Sequence, residues 1–139
     1  MNASFEEKSV WIQLVGTVVG LGAYFFVAGR MLAAGVRILP AYAPLFAVSV
    51  VLMVIFLVVG HAAVAIASRP EGRDERDRLI GWRAENNSSW LLAAGILFAI
   101  TGMVFSIDNV WIAHLLLLSL FLSEVLGFIL RIVYYRRGM

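Results

Sequence analysis

Four long apolar segments alternate with short polar ones along the chain. They cover residues 10–29, 43–67, 89–107 and 111–135. Each comes close to or exceeds the roughly 20 residues that a helix needs to cross a hydrocarbon layer of about 30 Å. Backbone groups in lipid must be hydrogen-bonded within their own segment, so each segment is predicted to be a helix. The pattern predicts an all-α integral membrane four-helix bundle, made of two transmembrane hairpins that form a single domain over residues 1–139.

Composition supports a lipid environment. The chain is 62% hydrophobic with a mean hydropathy of +0.91, whereas soluble domains are about 45–50% apolar. A chain of this length has a large surface for its volume, so the excess apolar surface must face the lipid bilayer. The chain contains no cysteine, which excludes disulfides and thiolate metal sites. The net charge of +2 comes without a dense basic tract, so nucleic acid is not expected as a partner.

The distribution of Lys and Arg predicts the orientation. Residues 69–87 form a polar segment between the hairpins, and this segment, the N-terminus and the C-terminus together carry nine of the eleven basic residues. Arg30 and Arg37 are the two on the other side. Because short cytoplasmic flanks carry the excess of Lys and Arg, both termini and the predicted loop 69–87 are expected to be cytoplasmic, in a cell (inner) membrane. Tyr42 is expected in the outer aromatic belt.

The polar loop has two interpretations. Its acids and arginines alternate at i,i+4 spacing, so it can form a helical segment whose charges pair with one another in solvent. The alternative is a docking site for a cytoplasmic partner. The candidate docking residues are Asp74, Glu75, Arg76, Asp77 and Arg78.

Small residues predict how the helices pack. Gly16 and Gly20 form a GxxxG motif in span one, and Gly95 lies among small residues of span three. Small residues let helix backbones approach closely in lipid. We expect spans one and three to pack against each other, in preference to a homodimer seam, although a homodimer stays possible.

Spans one and three are entered through similar residues. Glu6, Ser9, Trp11 and Gly16 recur at identical spacing as Glu85, Ser88, Trp90 and Gly95. The pattern is typical either of shared helix caps and aromatic belts or of a duplicated hairpin. A duplication would place its symmetry axis along the membrane normal.

One carboxylate falls in the middle of span four. An ionisable group at that depth must face protein or water, or be protonated, so Glu124 is the main candidate for chemistry. Arg131 follows by seven residues and is expected on the same helix face; Thr101 is expected at a similar depth, with His61 and Thr17 about a turn nearer the cytoplasm. The functional interpretation is a proton or cation site. The structural one is a buried polar clasp that sets the helix register.

The remaining polar residues do not complete a catalytic set. His114, near Asp108, is expected to be a hydrogen-bonded interfacial histidine, because two isolated ligands do not make a metal site. The sequence contains no glycine-rich phosphate loop, nucleophile–base pair or metal triad. We therefore predict that the protein is not an enzyme and has no cofactor or metal.

Two short segments resemble a known family. FEEKSVW at residues 5–11 and DERDRLI at residues 74–80 are similar to small prokaryotic four-span membrane proteins that share a domain of unknown function. The resemblance implies an integral inner-membrane protein and brings no assigned activity or site. The sequence thus predicts a non-enzymatic partner-binding, regulatory or accessory membrane module. The alternative is a small proton- or cation-coupled transporter that uses Glu124.

Overall fold

The computed structural model describes residues 5–67 and 74–138. The described chain is all-α. It contains four long helices, α1 (Phe5–Ala33), α2 (Ala43–Ala67), α3 (Glu75–Val104) and α4 (Asn109–Arg137), with a 3-10 turn, Leu39–Tyr42, before α2. Each of the four helices is long and apolar enough to cross a membrane. The predicted helical class is therefore confirmed for the described residues, with four helices that could span a membrane.

The predicted loop 69–87 is largely helical, because α3 begins much earlier than the apolar pattern indicated. Asp74 caps the helix: its carboxylate accepts from the backbone N–H of Asp77 at 2.7 Å, and the carboxylate of Asp77 accepts from the N–H of Asp74 at 3.2 Å. This reciprocal capping box satisfies backbone donors that would otherwise lack partners at a helix start. A helix can thus continue through a polar sequence. Residues 69–73 of the predicted loop lie outside the described residues.

The helices pack in the order α2, α1, α4, α3. Extensive contacts join α1 to α2, α1 to α4 and α3 to α4, and within the described chain no comparable contact joins α2 to α3. Two hairpins related by an axis along the membrane normal would need an α2–α3 contact to match the one between α1 and α4. The observed order therefore differs from the symmetry expected for a duplicated hairpin.

The glycines that we expected to join spans one and three lie elsewhere. A Cβ atom on Gly16 would be 2.8 Å from Leu57 Cδ2, and one on Gly20 would be 2.7 Å from Met53 Cβ, so both glycines face α2. Gly95 faces Ser119 of α4. Helices that are joined by short connections are usually neighbours in space. Close backbone approach therefore serves the contacts α1–α2 and α3–α4.

A buried aromatic cluster lies at the end of the molecule opposite the start of α3. Tyr24 of α1 and Tyr42 are each 2% exposed and pack with Ala28 and Val110. The ring of His114 stacks on that of Tyr24 and meets that of Tyr42 edge-on. Tyr42 is therefore a core residue and not part of an outer aromatic belt.

Candidate functional site

A polar cleft opens between α1 and α3, over α4, at the end where α3 begins. Its volume is about 260 Å³. The charged and hydroxyl-bearing residues that line it are Glu6, Asp77, Arg78, Glu85, Arg131 and Tyr135.

A second cavity, of about 120 Å³, adjoins the first and shares Glu85 and Arg131 with it. It extends along α4 toward the apolar part of the molecule and reaches Glu124. We call the two cavities together the α4 groove. It runs from a charged mouth to a carboxylate on the apolar part of α4.

Small side chains bring α3 close to α4 beside the groove. Ser123 Oγ donates to the backbone oxygen of Ser88 at 3.0 Å, and a Cβ on Gly127 would lie 3.1 Å from Ser88 Oγ. Ser119 meets Gly95 one turn farther along. Ser119, Ser123 and Gly127 recur every four residues, which places them on one helix face. This spacing of small residues is visible in the sequence and indicates close packing of span four. It was overlooked when spans one and three were predicted to pack together.

The mouth of the groove is held by contacts between helix ends. Tyr135 Oη donates to Asp77 Oδ1 at 2.9 Å, and Arg76 Nη2 donates to the backbone oxygen of Tyr135 at 3.5 Å. Asn87 Nδ2 donates to Tyr134 Oη at 2.8 Å. The start of α3 is therefore tied to the end of α4.

These contacts engage several residues of the predicted docking segment within the chain itself. Asp74 and Asp77 are engaged in the capping box, and Arg76 contacts α4. Glu75 and Arg78 are exposed, although Arg78 also lines the cleft. Three of the five predicted docking residues thus have intramolecular roles.

Arg131 forms an ion pair with Glu85 of α3 through Nη2 and Oε1. The Arg131 side chain is 20% exposed and that of Glu85 is 70% exposed. Arg131 Nε is buried and has no acceptor among the described residues. The two residues meet because α3 continues as a helix through its polar part and runs antiparallel to α4. The expected clasp between Arg131 and Glu124 is therefore not formed.

Glu124 is exposed. Within the described chain it has no hydrogen bond or ion pair, although it shares the deeper cavity with Arg131. The contacts of Ser88 with Ser123 and Gly127 place Glu124 level with the first apolar turn of α3, near Leu91. The carboxylate therefore lies nearer the polar end of the apolar layer than the middle of span four suggested.

Thr101 does not join this site. Its hydroxyl donates to the backbone oxygen of Leu97 at 2.8 Å, and its side chain is exposed. A Cβ on the adjacent Gly102 would be 3.7 Å from Ile112 Cγ1, so Thr101 is level with the beginning of α4. The prediction of a common depth for Thr101 and Glu124 is wrong, because it ignored the register between α3 and α4.

His61 and Thr17 also lie away from Glu124's cavity. His61 Nδ1 lies 2.7 Å from the backbone oxygen of Leu57, and Nε2 lies 2.9 Å from Ser9 Oγ of α1. A carbonyl can only accept, so Nδ1 donates to Leu57, and in the neutral ring Nε2 accepts from Ser9. Thr17 is buried within α1. Of the five predicted polar-site residues, the structure brings Glu124 and Arg131 into one cavity.

The Ser9–His61 contact resembles a nucleophile–base pair in its chemistry, but its setting does not support catalysis. Ser9 is 8% exposed and lies inside α1, where backbone N–H groups bond to carbonyls four residues earlier. Such amides are not free to stabilise a developing oxyanion. The contact therefore joins α1 to α2. No group of three potential metal-ligating side chains occurs in the described part of the chain.

Comparison of the chain with protein-family models, curated proteins and solved structures gives no match. The resemblance to small four-span membrane proteins therefore stays a prediction. The candidate site is defined by its own geometry, which is a polar mouth, a paired arginine and an unpaired carboxylate on an apolar helix.

Proposed function

We propose that this chain is a non-enzymatic, multi-pass protein of a prokaryotic inner membrane that binds another membrane-embedded protein, as a regulatory or accessory module. The observation that carries the proposal is Glu124, an exposed carboxylate on an apolar helix with no partner among the described residues. A charged side chain in lipid costs up to about 2.5–3.5 kcal/mol on insertion scales, the value at the centre of a helix. A partner that offers Glu124 a hydrogen bond or a counter-charge would lower this cost.

We place the proposed contact in the α4 groove because the alternative docking surface is already engaged within the chain. The polar start of α3 was the alternative docking surface, and Asp74, Arg76 and Asp77 there are engaged within the chain. The α4 groove has an unpaired carboxylate instead. The groove is therefore the better supported surface for a partner.

The proposed orientation has both termini and the start of α3 in the cytoplasm. Described basic residues gather at the end of the molecule that holds the groove mouth: Lys8, Arg76, Arg78, Arg83, Arg131, Arg136 and Arg137. Arg30 and Arg37 lie at the opposite end. The excess of Lys and Arg on cytoplasmic flanks supports this orientation.

Site-specific photo-crosslinking in native membranes tests the proposal. A photoreactive residue replaces Phe128, which lines the groove, or Leu122, which is 44% exposed and about 200° from Glu124 around α4. We expect a discrete protein adduct from position 128 and none from position 122. Equal labelling at both positions, or lipid adducts alone, would contradict a partner in the groove.

A second candidate function is a small proton- or cation-coupled transporter. The observation that favours it is that the two cavities share Glu85 and Arg131, so a polar route leads from the charged mouth to Glu124. Coupled transporters use intramembrane carboxylates as proton or ion sites.

Flux measurements in proteoliposomes test this candidate. If the protein is a transporter, we expect proton- or cation-coupled flux that is lost in Glu124→Gln. The flux should persist in Glu75→Gln, because Glu75 is exposed and lies outside both cavities. Absence of flux in the unaltered protein, or flux that persists in Glu124→Gln, removes this function.

A further inference from the structure

We propose that the α4 groove receives a partner transmembrane helix that carries a lysine or arginine at the depth of Glu124. The inference rests on the proposed function and specifies the chemistry of the partner. It follows from the charge lining the groove, from its position between helices and from the depths of the chain's own basic residues.

The groove is acidic although the chain as a whole is basic. It is lined by four carboxylates, Glu6, Asp77, Glu85 and Glu124, and by two guanidinium groups, Arg78 and Arg131, which gives a formal charge of 2 − 4 = −2. The whole chain carries +2. Complementary charge favours a cationic partner and disfavours an anionic lipid headgroup at this surface.

The charge that is left unpaired lies at the deep end of the groove. Arg131 is engaged by Glu85, and Tyr135 donates to Asp77 at the mouth. Glu124 has no such contact with any described residue. A partner's cation would therefore find its free counter-charge within the apolar layer, where polar contacts between helices fix register and partner choice.

The packing of α4 leaves part of its surface uncovered between α1 and α3. Both α1 and α3 flank α4, and within the described chain they share no extensive contact with each other. The polar cleft is lined from α1 by Glu6 and Val10 and from α3 by Asp77 and Glu85. A single helix laid along α4 would thus contact α1, α3 and α4 at the mouth, and α3 and α4 at the level of Glu124.

A second copy of this chain would not supply the cation. A twofold axis along the membrane normal keeps each residue at its own depth. Contacts between helices place Leu91 of α3, Thr17 of α1 and Phe56 of α2 near the level of Glu124, and none is basic. Arg131 is about 10 Å nearer the mouth, at 1.5 Å per residue, and already paired.

Reconstitution with designed peptides tests the inference. The protein is labelled at a cysteine appended after Met139, since the chain has no other cysteine, and placed in phosphatidylcholine vesicles. Three leucine–alanine transmembrane peptides with identical lysine flanks carry Lys, Gln or Leu at one site two turns inside the bilayer. Association is measured by energy transfer to a label on the peptide.

We expect the Lys peptide to associate about three- to tenfold more tightly than the Gln or Leu peptide, which is the range for polar contacts between membrane helices. The preference should vanish in Glu124→Gln. It should persist in Leu122→Gln, which places an amide on the opposite side of α4, and in Glu75→Gln. Circular dichroism checks that all variants are equally helical.

Three results would overturn the inference. They are equal association of the three peptides, a Lys preference that survives Glu124→Gln, and self-association of the labelled protein that depends on Glu124, which would identify a second copy as the occupant. If the cellular adduct at position 128 forms and the peptides show no preference, the proposed function stands and the basic partner is wrong. If that adduct is absent, the proposed function itself fails.

Discussion

At the scale of single residues, Gly95 lies where α3 and α4 come closest. A Cβ atom there would overlap Ser119 Oγ and Cβ, so glycine is required for the observed separation of the two helices. Gly22 provides the contrast, because a Cβ at that position would have no atom within 4 Å. The same residue type thus has a packing role at one site and none at the other.

We predict that Gly95→Ala destabilises the protein by about 1–3 kcal/mol, the usual range for overpacking. Gly22→Ala should be neutral or slightly stabilising, because alanine favours a helix over glycine. Unfolding of both variants in detergent, followed by circular dichroism, measures the difference. Adding Ser119→Gly to Gly95→Ala should restore part of the stability, and a Gly95→Ala protein as stable as the original would refute the close contact.

The hydrogen bond between Tyr24 and His114 is a second single-residue determinant. His114 Nδ1 donates to the backbone oxygen of Val110 at 2.7 Å, so in the neutral ring Nε2, 3.1 Å from Tyr24 Oη, accepts a hydrogen bond from the tyrosine hydroxyl. His114 is 7% exposed, so loss of this donor would leave a buried acceptor without a partner.

We expect Tyr24→Phe to lower the free energy of unfolding by about 1–3 kcal/mol, the cost of an unsatisfied buried polar group. The matched control is Tyr134→Phe, because the hydroxyl of Tyr134 contacts Asn87 in an exposed position. This variant should change stability by less than about 0.5 kcal/mol. Chemical denaturation in the same detergent compares the two. Similar losses in both variants would show that the buried bond has no special weight.

At the scale of elements, the polar start of α3 acts as a cap and as an attachment point. Asp77 accepts from Tyr135 Oη and also closes the capping box with Asp74. Its removal should therefore affect both the helix start and its contact with α4, whereas removal of Asp74 should affect the cap alone.

We predict faster hydrogen exchange over the first turns of α3 in Asp74→Ala, because loss of an N-cap costs about 1 kcal/mol. Asp77→Ala should produce a larger increase that extends to the end of α4 near Tyr135. Glu75→Ala serves as the control in the first turn. Exchange measured by mass spectrometry would contradict this account if Asp74→Ala and Asp77→Ala behaved identically.

The helix pairs α1–α2 and α3–α4 are built in a similar way, but they do not contact each other symmetrically. Gly60 of α2 faces Ile12, and Gly127 of α4 faces Ser88, so in each pair the later helix contributes a glycine from its C-terminal half. The other residues of α2 are exposed or partly exposed, and Ser49 is its one buried residue. Both pairs thus use a glycine of the later helix for close packing, while the residue it meets and the contacts between the two pairs differ.

At the scale of the whole molecule, the distribution of Lys and Arg between the two ends predicts the orientation in the membrane. The proposed topology places the connection between α1 and α2 outside and the chain ends inside. We predict that a cysteine introduced at Ala34, which is exposed, reacts with a membrane-impermeant maleimide in intact cells. A cysteine appended after Met139 should react only after permeabilisation. The cysteine-free background makes each label unique, and the reverse pattern would overturn the topology.

The candidate site was predictable in part from the sequence. Glu124 and Arg131 were expected on one face because seven residues make nearly two helical turns, and they do share a cavity. The partner of Arg131 was not predictable, because Glu85 is 46 positions away in the chain and meets it only through the packing of α3 against α4. Depth was misjudged for Thr101 because counting along one helix says nothing about its register against another.

The sequence by itself determined the helical class and the number of long apolar helices, but not the start of α3, which is at Glu75 and not at residue 89. Class and number depend on the local length of apolar runs, because a long apolar run can satisfy all its backbone hydrogen bonds within itself only as a helix. Tertiary structure alone decided the packing order α2, α1, α4, α3, the pairing of Arg131 with Glu85 and the exposure of Glu124. The reason is physical: apolar faces of similar hydropathy do not select one another, so the partner of each helix is chosen by close contacts between distant small and polar residues.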